Sequence, residues 1–267
     1  MAKARALPVL MYHHVSPQAG LVTVSPNTFH DQIRELAKAG WQTAGLEAVE
    51  RFFAGEAIPE KTCIITFDDA YLDNMVHAAP ILRDARMKAV VFAVTGWMGD
   101  GPPRFGILDT PSHRECKQRI AAGDSDSVIM RWEEAELLQS DGILEFHSHT
   151  HTHTRWDKTI GDEASRRTAL YQDLEASKHA LATRLGISSR HLCWPQGHYD
   201  DLYLDVAHDF GLDHLYTTES RLNLPGGSPA HIGRFVTKDK PGRWLLQRTR
   251  LYADPLLGRL YTLIRPS

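Results

Sequence analysis

Cysteine is scarce, with three in 267 residues. Cys63, Cys116 and Cys193 are odd in number and far apart, which excludes a disulfide framework and a zinc knuckle. Cys63 and Cys193 fall in apolar stretches and read as buried thiols. Neither sign of charge dominates: 30 Lys and Arg face 33 Asp and Glu, for a formal net charge of −3. Nothing in that balance favours nucleic acid as a partner. No apolar run is long enough to span a bilayer. Residues 7–12 are too few for the apolar core of a signal peptide, so the reading predicts a cytoplasmic protein. No glycine-rich loop follows an early strand, which weakens a dinucleotide site.

What is present is apolar mass for a core, 42% of residues, and an unusual 15 histidines. Short apolar runs alternate with helical patterns, which predicts a parallel α/β sheet. Strands are expected at 8–12, 62–67, 89–94, 143–146, 191–194 and 215–217. Helices are expected after Ser25-Pro26, over 46–53, over 73–87 with a kink at Pro80, over 132–139, and over 162–185 with Gly186 as its stop. Residues 96–127 show no period and read as a long loop insertion over the site. Residues 244–267 read as a basic amphipathic tail. Insertion and tail both belong to one domain spanning 1–267. An open doubly wound sheet and a closed barrel both fit this order, and both gather chemistry at the C-terminal ends of strands.

Two features stand at such ends. The apolar run 62–67 stops at Asp68 and Asp69, and adjacent acids behind a buried strand call for a cation. After Phe146 come His147, His149, His151 and His153. As a strand they share one face; as a turn or loop, His149 pairs with His153 and His147 with His151. One Asp and two His match catalytic zinc and also non-haem iron. The spacing decides neither the metal nor the histidine pair.

Thr66-Phe67-Asp68-Asp69 resembles the first motif of the polysaccharide deacetylase family, metal-dependent enzymes that remove N-acetyl groups from sugars. Ser148-His149-Thr150-His151-Thr152-His153 resembles its second motif, and Trp194-Pro195-Gln196-Gly197 its third. Leu10-Met11-Tyr12-His13-His14-Val15 is similar to the opening of the poly-N-acetylglucosamine deacetylase branch. The resemblance implies a distorted (β/α) barrel of about seven strands. It implies metal ligation by Asp69, His149 and His153, with Zn2+ the expected ion. It also implies Asp68 as general base, a backbone N–H at Gln196 for the oxyanion, and His13, or else His14, as acid. Three departures stand out. Ala70 replaces a Gly, which a negative backbone angle would tolerate. Gln196 replaces a Tyr. Cys193-Trp194 replaces the Arg that partners the base, and Arg234 is the expected substitute. Tyr71 and Asp73 read as helix-start residues, and Trp194 as a candidate sugar-stacking surface.

The expected substrate is an N-acetylated glycan or glycoconjugate, with a lipid-linked precursor favoured by the tail. That tail, with Arg248, Arg250, Arg259 and Arg265 among leucines, suggests peripheral contact with anionic lipid. Two rivals remain: a metal amidohydrolase acting on a non-sugar amide, and a carbohydrate-binding protein without turnover.

Overall fold

A computed structural model describes residues 2–264. Met1 and residues 265–267 lie outside the described residues, as do the side chains of 261–264, so the end of the expected tail, Arg265 included, has no structural account. Strands β1 Val9–Tyr12, β2 His14–Val15 and β3 Thr23–Val24 precede helix α1 Pro26–Lys38. Next come β4 Gln42–Thr43, α2 Leu46–Phe53, β5 Thr62–Asp68, α3 Ala79–Asp84 and β6 Ala89–Ala93. Then follow α4 His113–Ala121, α5 Trp132–Ser140, β7 Leu144–Ser148, α6 Trp156–Thr159 and α7 Glu163–Leu185. The chain continues through β8 His191–Cys193, α8 Asp201–Asp209, β9 His214–Tyr216, β10 Phe235–Val236, α9 Gly242–Ala253 and α10 Pro255–Ile264.

Seven strands form one parallel sheet in the order β10-β1-β5-β6-β7-β8-β9, with β4 paired along the start of β5. The sheet curls until its ends nearly meet. Ile232 bridges Tyr216 of β9, and three residues later Phe235 pairs with Leu10 of β1. One short segment thus touches both edges, and the architecture is the distorted (β/α) barrel that the resemblance implied.

Period-two alternation in β5 explains how the barrel is filled. Cys63, Ile65 and Phe67 pack outward in the layer that also holds Tyr12, Phe29 and Ile33. Ile64 faces the interior with Val90, Phe92, Tyr216 and Ile232. The interior set continues through Thr66 to Asp68, and so delivers a carboxylate to the C-terminal mouth.

Local signals placed most helices. Ser25 caps α1, accepting from Thr28 N–H, with Pro26 as first helical residue. Gly186 ends α7 in the left-handed region at φ 66°. Two expectations need correction. The helix expected over 73–87 stops at Asp84, and its irregularity before Pro80 is a π-bulge over Asn74–Ala78 that passes directly into α3, with Asp73, Ala78 and Ala79 all in the right-handed helical region. Residues 96–127 are not structureless, because they contain α4, whose N-cap Ser112 accepts from Glu115 N–H. That helix buries only Cys116, so it leaves no apolar period to read.

Candidate metal centre and catalytic cleft

At the end of β5 the backbone turns abruptly. Asp69 and Ala70 both adopt left-handed angles, φ 74° and 61°. An uninterrupted strand would send Asp69 outward; the turn returns it to the mouth beside Asp68, with the Asp69 N–H donating to the Phe92 carbonyl at 2.9 Å. The negative angle that would have accommodated Ala70 is not adopted, and this fully buried alanine holds a conformation that disfavours a Cβ.

The histidines come from the turn after β7. His149 N–H donates to the Ala93 carbonyl at 2.8 Å, and its ring Nδ1–H to the Cys193 carbonyl at 2.7 Å. That second bond fixes the tautomer and points Nε2 into the cleft. Thr150 and His153 take positive φ, 65° and 60°, and coil the loop so that His153 comes back over His149. Asp173 on α7, itself buried, secures the coil. It accepts the N–H groups of His151 and Thr152 at 2.9 and 2.8 Å and the Trp156 indole N–H at 2.9 Å. Nε2 of His149 and of His153 each lie 3.6 Å from Oδ1 of Asp69. His147 and His151 lie elsewhere: His147 bonds Ser189 and Glu145, and His151 bonds Thr95.

Asp68 is held by Arg234 through two bonds, Nη1 to Oδ1 at 2.6 Å and Nη2 to Oδ2 at 2.9 Å. Arg234 is 1% exposed and also donates to the Thr217 carbonyl, the Thr66 hydroxyl and Cys193 Sγ. It lies between the two pairings that close the barrel, which is why its side chain enters the interior. Burial alone would raise the Asp68 carboxyl; Arg234, with His13 and His149 adding, holds it far below the usual carboxylate range. His13 Nε2 stands 3.8 Å from Asp68 Oδ2, while burial lowers its pKa. His14 is fully buried and does not line the cleft, so of the two adjacent histidines only His13 reaches it.

The cleft brings together the expected ligands Asp69, His149 and His153 with Asp68, His13 and Gln196; Arg234 is not in its lining and acts from beneath through Asp68. The cleft lining also includes Trp194. Gln196 sits in a left-handed turn at φ 57°, ψ 15°. Gly197 follows it, and a Cβ there would stand 2.2 Å from Thr218 Oγ1, so the turn admits only glycine. Trp194 is fully buried, its ring packed on Tyr203 rather than offered as a platform.

Among the described residues, two clusters have donor atoms close enough for one ion: Asp69, His149 and His153, and Asp68, His149 and Cys193. The second is unsuitable, because Arg234 already neutralises Asp68 and contacts Cys193. The first fits. Asp69 Oδ1 is buried and has no hydrogen-bond partner, an arrangement that costs free energy unless a cation takes it. Burial holds the His153 imidazole down to about 4 against the opposing pull of Asp69, so the ring is neutral and free to ligate.

Sequence reading missed Asp173, whose only signal is an acid at an inward-facing helix position, and it missed His113 and Lys117. Both of the latter line the cleft from α4. Tyr71 lines the cleft too, contrary to its reading as a helix-start residue; burial, then Asp69, raises its phenol.

Fold and site together define a (β/α) barrel hydrolase architecture with a carboxylate and two imidazoles at its mouth. The sequence profile of the polysaccharide deacetylase family matches residues 55–215. The chain belongs to that family. It is 25% identical over 227 residues to the poly-beta-1,6-N-acetyl-D-glucosamine N-deacetylase of Staphylococcus aureus, covering 85% of this chain and 71% of that protein. It is 22% identical over 243 residues to the Escherichia coli K12 protein of the same name, covering 80% of this chain. The match spans only 34% of that relative's length. Among solved structures, IcaB from Ammonifex degensii shares the fold with a TM-score of 0.74 at 21% identity, covering 94% of this chain and 99% of that one. The Streptococcus pyogenes deacetylase PplD gives 0.73 at 20%, covering 91% and 98%.

Proposed function

We propose that the protein is a hydrolase that removes N-acetyl groups from an N-acetylated sugar in a glycan or glycoconjugate. The observation that carries this reading is the pairing of two acids with opposite fates. Asp69 presents an unpartnered buried oxygen to two histidines, while Asp68 is locked ionised by Arg234. A divalent cation held by Asp69, His149 and His153, with Zn2+ the expected ion, supplies Lewis-acid polarisation of the acetyl carbonyl and a water of lowered pKa. Asp68 accepts the proton of the attacking water. The Gln196 backbone N–H donates to the oxygen that gains negative charge. His13, beside Asp68, takes that proton onward to the nitrogen as the C–N bond breaks, so the amine leaves neutral with acetic acid, which ionises to acetate as its remaining proton passes to solvent. A depressed His13 pKa suits this shuttle, since a neutral ring receives from Asp68 before it gives.

The names of the relatives support a β-linked N-acetylglucosamine polymer or its precursor as substrate. Leu256, Leu257 and Leu260 on α10 are exposed, at 72%, 54% and 58%, which supports contact of this tail with lipid and hence a lipid-borne substrate. No described helix is long and apolar enough to cross a membrane. Cytoplasmic residence remains part of this reading. Acetate release from N-acetylglucosamine oligomers by zinc-loaded protein tests the activity. Metal bound with no release from any N-acetylhexosamine glycan refutes it and leaves the binding-protein alternative.

A further inference from the structure

The 96–127 insertion gives the cleft a polar wall through His113 and Lys117, one helical turn apart on α4. His113 is the outer end of a buried chain. Its Nδ1 lies 3.0 Å from Nε2 of His14, and Nδ1 of His14 lies 2.6 Å from Oδ2 of Asp73. Oδ1 of Asp73 accepts the Val15 N–H at 3.1 Å and the Asn74 side-chain N–H at 2.8 Å, so both carboxylate oxygens serve as acceptors.

The chain therefore has a direction. His14 donates from Nδ1 to the carboxylate and accepts at Nε2 the Nδ1–H of His113. That leaves the lone pair on Nε2 of His113, a residue that lines the cleft. His14 is fully buried and stacked on Tyr71 with ring centroids 3.8 Å apart, which keeps its Nδ1 on Asp73 and its Nε2 on His113. The approach to α4 is fixed as well. The Thr110 carbonyl accepts the Ser16 hydroxyl, the Thr110 hydroxyl pairs with His77, and Ser112 caps the helix. The charged groups that face His113 are His14, Asp69, His13 and Lys117. Burial first, and His14 next, hold the His113 imidazole down to about 4, which agrees with a neutral acceptor.

We propose that His113 is a specificity residue: its Nε2 accepts a hydrogen bond from one free hydroxyl of the reacting N-acetylhexosamine, and Asp73 and His14 are the positioning residues that keep this lone pair aimed at the sugar. The chain then selects units unsubstituted at that hydroxyl, because a substituted or deoxygenated unit leaves a desolvated acceptor without a partner. The proposal rests on the deacetylase reading and adds a requirement that the metal centre alone does not impose.

The test uses an N-acetylglucosamine oligomer and analogues in which one hydroxyl is replaced by hydrogen or by fluorine. Binding is measured by calorimetry to the metal-free protein, and kcat/KM with the zinc-loaded protein. One position is expected at which both replacements weaken wild-type binding and kcat/KM by roughly 5–150-fold, the cost of one unpaired acceptor. His113→Phe binds the parent sugar more weakly and no longer distinguishes it from those analogues. Asp73→Asn, with His113 in place, loses part of the discrimination. If the fluorine analogue binds as well as the hydroxyl, the sugar is accepting and the assignment is overturned. If no analogue binds wild type more weakly, or His113→Phe discriminates as wild type does, the proposal falls even without a usable variant. Absence of acetate release from every sugar would sink the deacetylase reading alone, since binding to the metal-free protein still decides the role of His113.

Discussion

Arg234→Met removes the guanidinium and keeps most of the volume. It strips Asp68 of both its strong bonds, at 2.6 and 2.9 Å, and leaves a carboxylate that is 2% exposed with no positive partner in direct contact. Breaking a buried pair from one side costs about 3–5 kcal/mol. For a chain of this size that is roughly 6–20 °C in melting temperature. The sign of the pH dependence follows from Asp68. Its native value lies below the unfolded one, so the pair stabilises the fold above the unfolded carboxyl value of about 4. That stability is lost as pH falls below it toward the native value. In Arg234→Met burial dominates, the Asp68 carboxyl rises, and protonation relieves the site. Urea melts of the metal-free proteins at pH 7 and at acid pH should therefore show a gap between wild type and variant that narrows on acidification. Adding Asp68→Asn to Arg234→Met should restore much of the loss, because no charge is then left buried. A variant within about 1 kcal/mol of wild type at pH 7, or losses in the double variant that simply add, would refute the reasoning.

Asp68→Asn alone should cut acetate release by about 10²–10⁴-fold while zinc affinity, read by calorimetry, stays within a small factor of wild type. Asp173→Asn touches no proposed ligand yet loosens the His149–His153 coil, and zinc affinity should drop by about 10–100-fold with helical circular dichroism unchanged. Ala70→Gly relieves the left-handed backbone at φ 61° and should raise stability by about 1 kcal/mol in a denaturant melt. The native His153 value of about 4 lies below the unfolded 6.5, so the unfolded chain takes up that proton first as the solution is acidified. Metal-free protein should lose stability from pH 6.5 down to 4, and His153→Ala should show a shallower slope over that window in thermal melts.

Much of the site was legible because its chemistry is concentrated in short runs. Asp68 and Asp69 stand out against a buried strand by cost alone, and four alternating histidines announce a ligand cluster. Choosing His149 and His153 needed the family resemblance, since the deciding geometry is the pair of left-handed residues Thr150 and His153, and neither residue type signals that angle. Ala70 is illegible for the same reason: its backbone is left-handed, which an alanine neither favours nor signals. Arg234 could be nominated as a missing charge, but its position depends on barrel closure, a contact 166 residues from Asp68 in sequence. The insertion was opaque because α4 earns its place through polar contacts at Ser112 and His113 rather than through an apolar stripe.

The segment joining the barrel's two edges also carries the guanidinium that neutralises the buried acid at the end of β5, so circularity and charge balance are completed in one stroke. It lies beyond residue 215, where the family profile stops matching, and β1 with His13 lies before residue 55, where it starts. A fragment trimmed to those limits would expose two open sheet edges and strand Asp68 without its counter-ion. The minimal folding unit of this chain therefore extends past both borders of the recognisable motif set, at least from β1 to Phe235.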